Sequence, residues 1–182
     1  MSGKLFVFSG CSGVGKSTVL KRVMQTHPNL RFSVSATTRA MRPGEVEGES
    51  YFFVTREAFE GMIQKGELLE YNSYSGNYYG TPVKPILNML AQGQDIVLDI
   101  EPHGAFHVRK EFPEAKLIFI APPSLEELRQ RLGGRGDTPA DQIESRTAQA
   151  AWELEQMKKY DHVVVNDRLD DCIHQVCDII EK

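Results

Sequence analysis

The chain has 182 residues, a formal charge of −4, 41% hydrophobic and 25% charged residues, which suits one globular domain of roughly 100–200 residues. These values exclude a disordered chain, which would carry fewer apolar residues or a larger net charge, and ordinary Gly and Pro usage excludes a collagen-like or low-complexity one. The acidic balance speaks against a protein that coats nucleic acid, but it leaves room for a few placed cations that hold a small anion.

In chain order, Leu5-Phe6-Val7-Phe8 reads as a buried strand. That run ends at Ser9-Gly10, far short of the roughly 20 residues a membrane span needs, and it is too short for a secretory signal peptide. Lys16 to Met24 follows as a helix, with Val19, Leu20 and Val23 at helical spacing. Residues 33–81 differ in character. They are rich in Ser, Thr, Tyr and Gly, hold strand-like runs such as Tyr51 to Val54, and carry one helix, Arg56 to Lys65, ending at Gly66. They read as a small, mixed, mostly β insertion.

Ile96-Val97-Leu98, Leu117 to Ile120 and Val163-Val164-Val165 are further continuous apolar strands, the kind expected of a parallel sheet covered on both faces. Pro102 opens a helix after the first of them. Ser124 and Glu127 form a capping-box pattern, and Thr138-Pro139 reads as an N-cap with Pro in the first turn. Gly133-Gly134-Arg135-Gly136 reads as a hinge in an Arg-bearing helical arm over about 124–160, a mobile lid. Cys172 and Cys177 fall on different faces of a final helix. With Cys11 they make three cysteines without metal-type spacing, so no disulfide framework or zinc site is expected, and the cytoplasm is the expected compartment. The βαβα alternation gives an α/β fold, a three-layer domain with a central parallel sheet. It reads as a single domain whose core is about 1–32, 82–123 and 161–182.

Gly10-Cys11-Ser12-Gly13-Val14-Gly15-Lys16-Ser17 matches G-x-x-x-x-G-K-[ST] and is followed by Thr18, with a strand before and a helix after. Glycines let the backbone fold around a polyphosphate with its N–H groups inward, and the helix start adds a positive dipole end. Lys16 supplies a point charge at the β- and γ-phosphates, and the Ser17 hydroxyl can reach Mg²⁺. A nucleoside triphosphate with Mg²⁺ is the expected ligand. The acidic partner of the metal should end a neighbouring strand, where Asp99 follows Ile96-Val97-Leu98; the alternative for Asp99 is capping of the next helix.

A phosphate loop alone does not separate a kinase from a GTPase or a motor. The insertion adds Ser35-Ala36-Thr37-Thr38-Arg39, Arg42-Pro43-Gly44-Glu45, Tyr51, Gly66-Glu67-Leu68-Leu69-Glu70 and Gly76-Asn77-Tyr78-Tyr79-Gly80-Thr81. With these motifs the chain resembles the guanylate kinase family along nearly its whole length. The resemblance implies ATP + GMP giving ADP + GDP, with Mg²⁺, and a P-loop fold with a GMP-binding insertion and a lid. It implies that Arg39, Arg42, Tyr51 and Tyr79 hold the acceptor phosphate, and that Ser35, Glu70, Thr81 and Glu101 contact the base. It also implies that Arg131, Arg135 and Arg146 close over the transferring phosphate and that Asn166 contacts adenine.

The chemistry of these side chains agrees. Arg is a forked donor suited to a phosphate dianion, and tyrosine hydroxyls add donors. A carboxylate accepts from guanine N1 and its 2-amino group, whereas adenine would turn a lone pair toward it. The alternative for the arm arginines is pairing with Glu126, Glu127 and Glu144 at helical spacing. Asn166 or Asp167 could instead cap the last helix. The chain departs from the family at Cys11, where Pro is frequent, at Glu101, where Asp is common, and at Pro102-His103. Small-molecule partners are expected, with neither nucleic acid nor membrane, and monomer and homo-oligomer stay equally open. A kinase of another acceptor, such as a sugar phosphate, would lack the guanine-reading set. A catalytically silent interaction module would lack Lys16 and Ser17.

Overall fold

The structure, a computed structural model, describes residues 2–74, 76–133 and 140–182. In chain order its first elements are β1 (Leu5–Gly10), α1 (Lys16–Thr26), β2 (Leu30–Phe32), β3 (Ala36–Thr37), β4 (Phe52–Phe53), α2 (Arg56–Gln64), β5 (Leu68–Tyr74) and β6 (Asn77–Pro82). These are followed by α3 (Val83–Ala91), β7 (Asp95–Asp99), α4 (Pro102–Glu111), β8 (Lys116–Ala121), α5 (Leu125–Gly133), α6 (Ala140–Gln156), β9 (His162–Val165) and α7 (Leu169–Glu181). The four apolar runs expected to be strands are β1, β7, β8 and β9, in a sheet ordered β2-β7-β1-β8-β9. The pairings β2–β7, β1–β8 and β8–β9 are parallel, as continuous apolar runs require. The α/β class follows from this arrangement.

The chain forms two compact units. One comprises Phe6–Asn29, Asp99–Ala105 and Lys116–Lys182. Its core is made by β1 and β8, where Phe6, Val7, Phe8, Leu117, Ile118, Phe119 and Ile120 are fully buried. Each such side chain contributes about 1.5–3 kcal/mol through removal from water. Val19, Leu20 and Val23 of α1 are buried, and α1 packs on α7, which buries Cys172, Val176 and Ile180. Burial pushes the Cys172 thiol up to about 11, so it behaves as a small apolar side chain. The Val163-Val164-Val165 run is only half covered: β9 is an edge strand and leaves Val163 and Val165 exposed. The Ser124 cap is present, with its Oγ accepting from the Glu127 N–H at 3.1 Å. The Thr138-Pro139 start and the hinge at Gly134-Arg135-Gly136 lie outside the described residues.

The other unit comprises Met1–Leu5, Leu30–Leu98 and Phe106–Ala115 and contains the whole 33–81 segment. Its own sheet runs β4-β3-β6-β5, with β3–β4 parallel and the other pairs antiparallel. The Tyr51–Val54 strand is shorter than expected, because Tyr51 pairs only with Glu47 in an isolated bridge. Helix α2 is N-capped by Thr55, whose Oγ1 accepts from the Ala58 N–H at 3.1 Å, and runs to Gln64 with Lys65 as its C-cap, so it ends at Gly66 as expected. Buried Phe59 anchors it by stacking on Tyr78, with ring centroids 5.2 Å apart. Between Leu68 and Glu70 the β5–β6 register slips by one residue. Leu68 faces Pro82, yet Glu70 faces Thr81, so this β-bulge brings Glu70 and Thr81 directly opposite each other.

Gly80 sits at the closest approach in this sheet. A Cβ there would lie 2.9 Å from the Glu70 carbonyl oxygen and 2.9 Å from Phe59 Cζ. Gly80→Ala is expected to destabilise the protein by about 1–3 kcal/mol through overpacking, read as a lower midpoint in thermal or urea unfolding. An unchanged midpoint would show that β5 and α2 yield without cost.

Candidate active site

The phosphate loop lies wholly in the first of these units, between β1 and α1. Gly13 at φ 84° and Gly15 at φ 91° take left-handed backbone that an L side chain rarely adopts, and a Cβ on either would meet Leu132 or Asn166 at 2.7 Å. The Val14 N–H returns to the Cys11 carbonyl at 3.1 Å and closes the turn. Gly15 is the N-cap of α1, so no side-chain oxygen occupies the helix start, and the first turn carries no acidic residue. The early N–H groups of α1 therefore stand ready for an anion.

Lys16 pairs with Asp99, and both side chains are largely buried. Asp99 is positioned by the end of β7: the Ile100 N–H donates to the Phe8 carbonyl at 3.1 Å, and the buried Ser9 hydroxyl donates to the Ile100 carbonyl at 2.6 Å. The cap alternative for Asp99 is thus replaced by an ion pair with the loop lysine. Ser12, Ser17 and Thr18 are exposed on the loop and the first turn. The oxygen donors Ser17 and Asp99 suit a hard cation such as Mg²⁺, which keeps waters and phosphate oxygens in its own shell. Among the described residues no cluster of three His, Cys, Asp or Glu could hold a metal.

Asn166 is buried and its Nδ2 donates to the Val14 carbonyl at 2.8 Å, so its amide braces the loop. The cap alternative is absent for Asn166 and Asp167 alike, since Arg168 is the N-cap of α7 and makes no side-chain cap bond. Arg131 does pair at helical spacing, its Nη2 donating to Glu127 at 2.6 Å, and its Nη1 donates to the Asn166 carbonyl at 3.0 Å. Arg131 is therefore held beside the loop. Arg146 is half-buried on α6, Glu101 is exposed before α4, and Arg135 lies outside the described residues.

The other unit gathers a second set. Arg39 forms a two-point pair with Glu45, at 2.7 and 3.0 Å, and lies over the rings of Tyr51 at 5.4 Å and Phe53 at 5.7 Å. Tyr51 meets Tyr79 edge-on, with centroids 6.1 Å apart. Arg42 is exposed, and its N–H donates to Glu45 at 2.7 Å. Thr81 is buried and its hydroxyl donates to the Glu70 carboxylate at 2.5 Å across the bulge. Ser35 is half-buried at the start of β3. Sequence reasoning gave Glu45 no role. Its signal was the Arg42-Pro43-Gly44-Glu45 turn, in which Gly44 at φ 86° brings the carboxylate back toward Arg42.

The fold and the loop define a P-loop protein of the α/β class, with a second cluster of charged and polar side chains on a separate small sheet. The guanylate kinase family model matches residues 2–182, and the chain belongs to that family. It is 48% identical over 179 residues to the guanylate kinase of Lactococcus lactis subsp. lactis (strain IL1403), covering 98% of this chain and 87% of that protein. It is 49% identical over 178 residues to the guanylate kinase of Halalkalibacterium halodurans, with the same coverage of 98% and 87%. The crystal structure of guanylate kinase from Anaplasma phagocytophilum matches 99% of this chain and 85% of that one, with a TM-score of 0.79 at 34% identity.

The Arg39 guanidinium, followed by the Arg42 N–H, holds the Glu45 carboxyl down to about 2. A depressed carboxyl stabilises the fold above its unfolded value near 4.5, and that contribution fades as the pH falls toward 2. The pair is thus complete at neutral pH. Carbon-13 NMR titration of the Glu45 side chain should give a midpoint near 2, whereas a midpoint at 4.5 would mean that Arg39 is unpaired in solution.

Proposed function

We propose that this chain transfers the γ-phosphoryl group of ATP to GMP by means of the two side-chain sets described above, with Mg²⁺ accompanying the ATP. Gly10, Cys11, Ser12, Gly13, Val14, Gly15, Lys16, Ser17 and Thr18 bind the ATP phosphates, and Asn166 borders that site. Arg39, Arg42, Tyr51 and Tyr79 bind the GMP phosphate, while Ser35, Glu70, Thr81 and Glu101 read guanine. Residues 33–81 form the GMP-binding insertion. Membership of the guanylate kinase family supports the reaction. The observation that carries the acceptor assignment is the Glu70–Thr81 pair, a carboxylate aimed by a buried hydroxyl across a bulge.

The acceptor is a phosphate oxygen that is largely ionised at neutral pH, so no strong general base is needed. Charge spreads over the equatorial oxygens as the phosphoryl group moves, and positioning plus cationic stabilisation do most of the catalysis. Lys16 follows the β- and γ-oxygens. Arg39, Arg131 and Arg146 supply delocalised positive charge, and Arg39 is fixed in place by Glu45. Mg²⁺ held near Ser17 and Asp99 would neutralise charge on the β- and γ-phosphate oxygens. No helix in the described residues is long and apolar enough to cross a membrane.

A coupled assay for ADP, with GMP, AMP, UMP and a pentose phosphate as acceptors, tests the assignment. Strong preference for GMP is expected, and equal use of a pentose phosphate would overturn it. Lys16→Ala should keep the fold and nearly abolish transfer; full ADP production by the folded variant would remove the loop from the mechanism. Glu70→Gln turns an amide donor toward guanine's donors, a mismatch of about 1–3 kcal/mol. The expected loss is about tenfold or more in kcat/KM for GMP, with ATP affinity retained. A variant that handles GMP like the parent would exclude Glu70 as the base reader.

A further inference from the structure

Thr37 and Thr38 stand immediately before Arg39 and take no part in the mechanism above. Thr37 is fully buried at the end of β3, and Thr38 is half-buried where the backbone bends away from the sheet. The β3–β6 ladder has Thr37 opposite Tyr79 as its last pair, so Thr38 and Tyr78 would come next. Half of that next pair forms: the Thr38 N–H donates to the Tyr78 carbonyl at 3.1 Å. The reciprocal bond goes to a side chain, since the Tyr78 N–H donates to the Thr38 hydroxyl at 2.9 Å. The Thr37 hydroxyl donates to the same Tyr78 carbonyl at 2.9 Å and accepts from the Arg39 N–H at 3.2 Å. Side chains thus take over where the ladder stops, and one oxygen joins the backbone of Arg39 to that of Tyr78.

Glu45 holds the far end of Arg39, but a clamp on the guanidinium does not set where the side chain starts. The Thr37 hydroxyl sets that origin. Tyr78 is a firm reference for it: its ring stacks on buried Phe59 with centroids 5.2 Å apart, and the Arg56 guanidinium lies over the ring at 4.6 Å. Successive strand residues point to opposite faces, so a fixed Tyr78 also fixes the direction in which Tyr79 leaves the strand. Threonine suits the task because branching at Cβ restricts χ1 and holds the hydroxyl in one direction. We propose that Thr37 and Thr38 are positioning residues for the acceptor phosphate: their hydroxyls lock Arg39 to Tyr78 and thereby hold Arg39 and Tyr79 at the spacing a phosphate dianion needs. A displacement of about 1 Å between two ligands of one reacting group is enough to lose much of the rate.

The inference rests on Arg39 and Tyr79 being the acceptor-phosphate ligands, and the readouts tell the two apart. Valine keeps the branched shape and removes the hydroxyl, whereas serine keeps the hydroxyl. Steady-state kinetics with GMP and ATP, NMR titration with guanosine and thermal unfolding are measured for the parent, Thr37→Val, Thr38→Val, Thr37→Ser and Thr38→Ser. Guanosine carries the base and ribose without the phosphate. Each valine variant should lower kcat/KM for GMP about tenfold, while the KM for ATP and the dissociation constant of guanosine move less than about twofold. Each serine variant should recover most of the loss. A lower melting temperature with kcat/KM for GMP unchanged, or equal weakening of GMP and guanosine, would overturn the inference, because a hydroxyl that only secures the sheet has no preference for the phosphate. A parent that binds guanosine as tightly as GMP would overturn the assignment of Arg39 and Tyr79 themselves. If Thr37→Val does not fold, Thr38→Val and the two serine variants decide by the same readouts.

Discussion

Among the described residues, the peptide N–H groups of the phosphate loop that no protein acceptor takes are the constraint around which that loop is arranged. A polyphosphate needs several donors at close range, and a helix start offers them only if nothing else takes them. Gly15 leaves the start of α1 uncapped, and the absence of an acidic residue in its first turn avoids repelling the anion. Left alone, such a loop would be loose. It is braced from outside by the Asn166 amide on Val14, by close packing of Leu132 against Gly13 and by the Cys11 contact with α6. The one cation among these groups, Lys16, is matched by Asp99, so the free protein buries no unpaired charge there.

The proposed acceptor cluster solves the opposite problem. Its donors and acceptors are side chains, which are flexible and must be held. Arg39 is clamped by two bonds to Glu45 and lies over two neighbouring aromatic rings, and Glu70 is held by Thr81. Arg131 follows the same rule through Glu127 and the Asn166 carbonyl. A guanidinium bound by one carboxylate edge still has N–H groups to offer, so prior pairing orients the group without exhausting it.

Features set by short-range spacing were legible in the sequence. The phosphate loop, the apolar strands, the Ser124 cap and the end of α2 depend on residues within a few positions of one another. Features set by long-range pairing were not. The weak covering of β9 is a property of sheet order, which Val163-Val164-Val165 does not encode alone. The Glu45 clamp needs the Gly44 turn and the placement of Arg39 together, and Asn166 bracing Val14 joins positions 152 residues apart.

The bulge in β5 behaves as a reading frame. In a regular antiparallel ladder continuing from Leu68–Pro82, Glu70 would lie opposite Gly80, which has no side chain to meet it. The one surplus residue, Leu69, turns that pairing into Glu70–Thr81 and is itself buried. Loss of a single residue at this point would leave both the carboxylate and the hydroxyl in the chain while moving them out of phase. Substitution changes which chemical group stands at each position, but insertion or deletion here changes whether the two groups meet at all. The pairing of carboxylate and hydroxyl is thereby stored in a count of residues as much as in their identity.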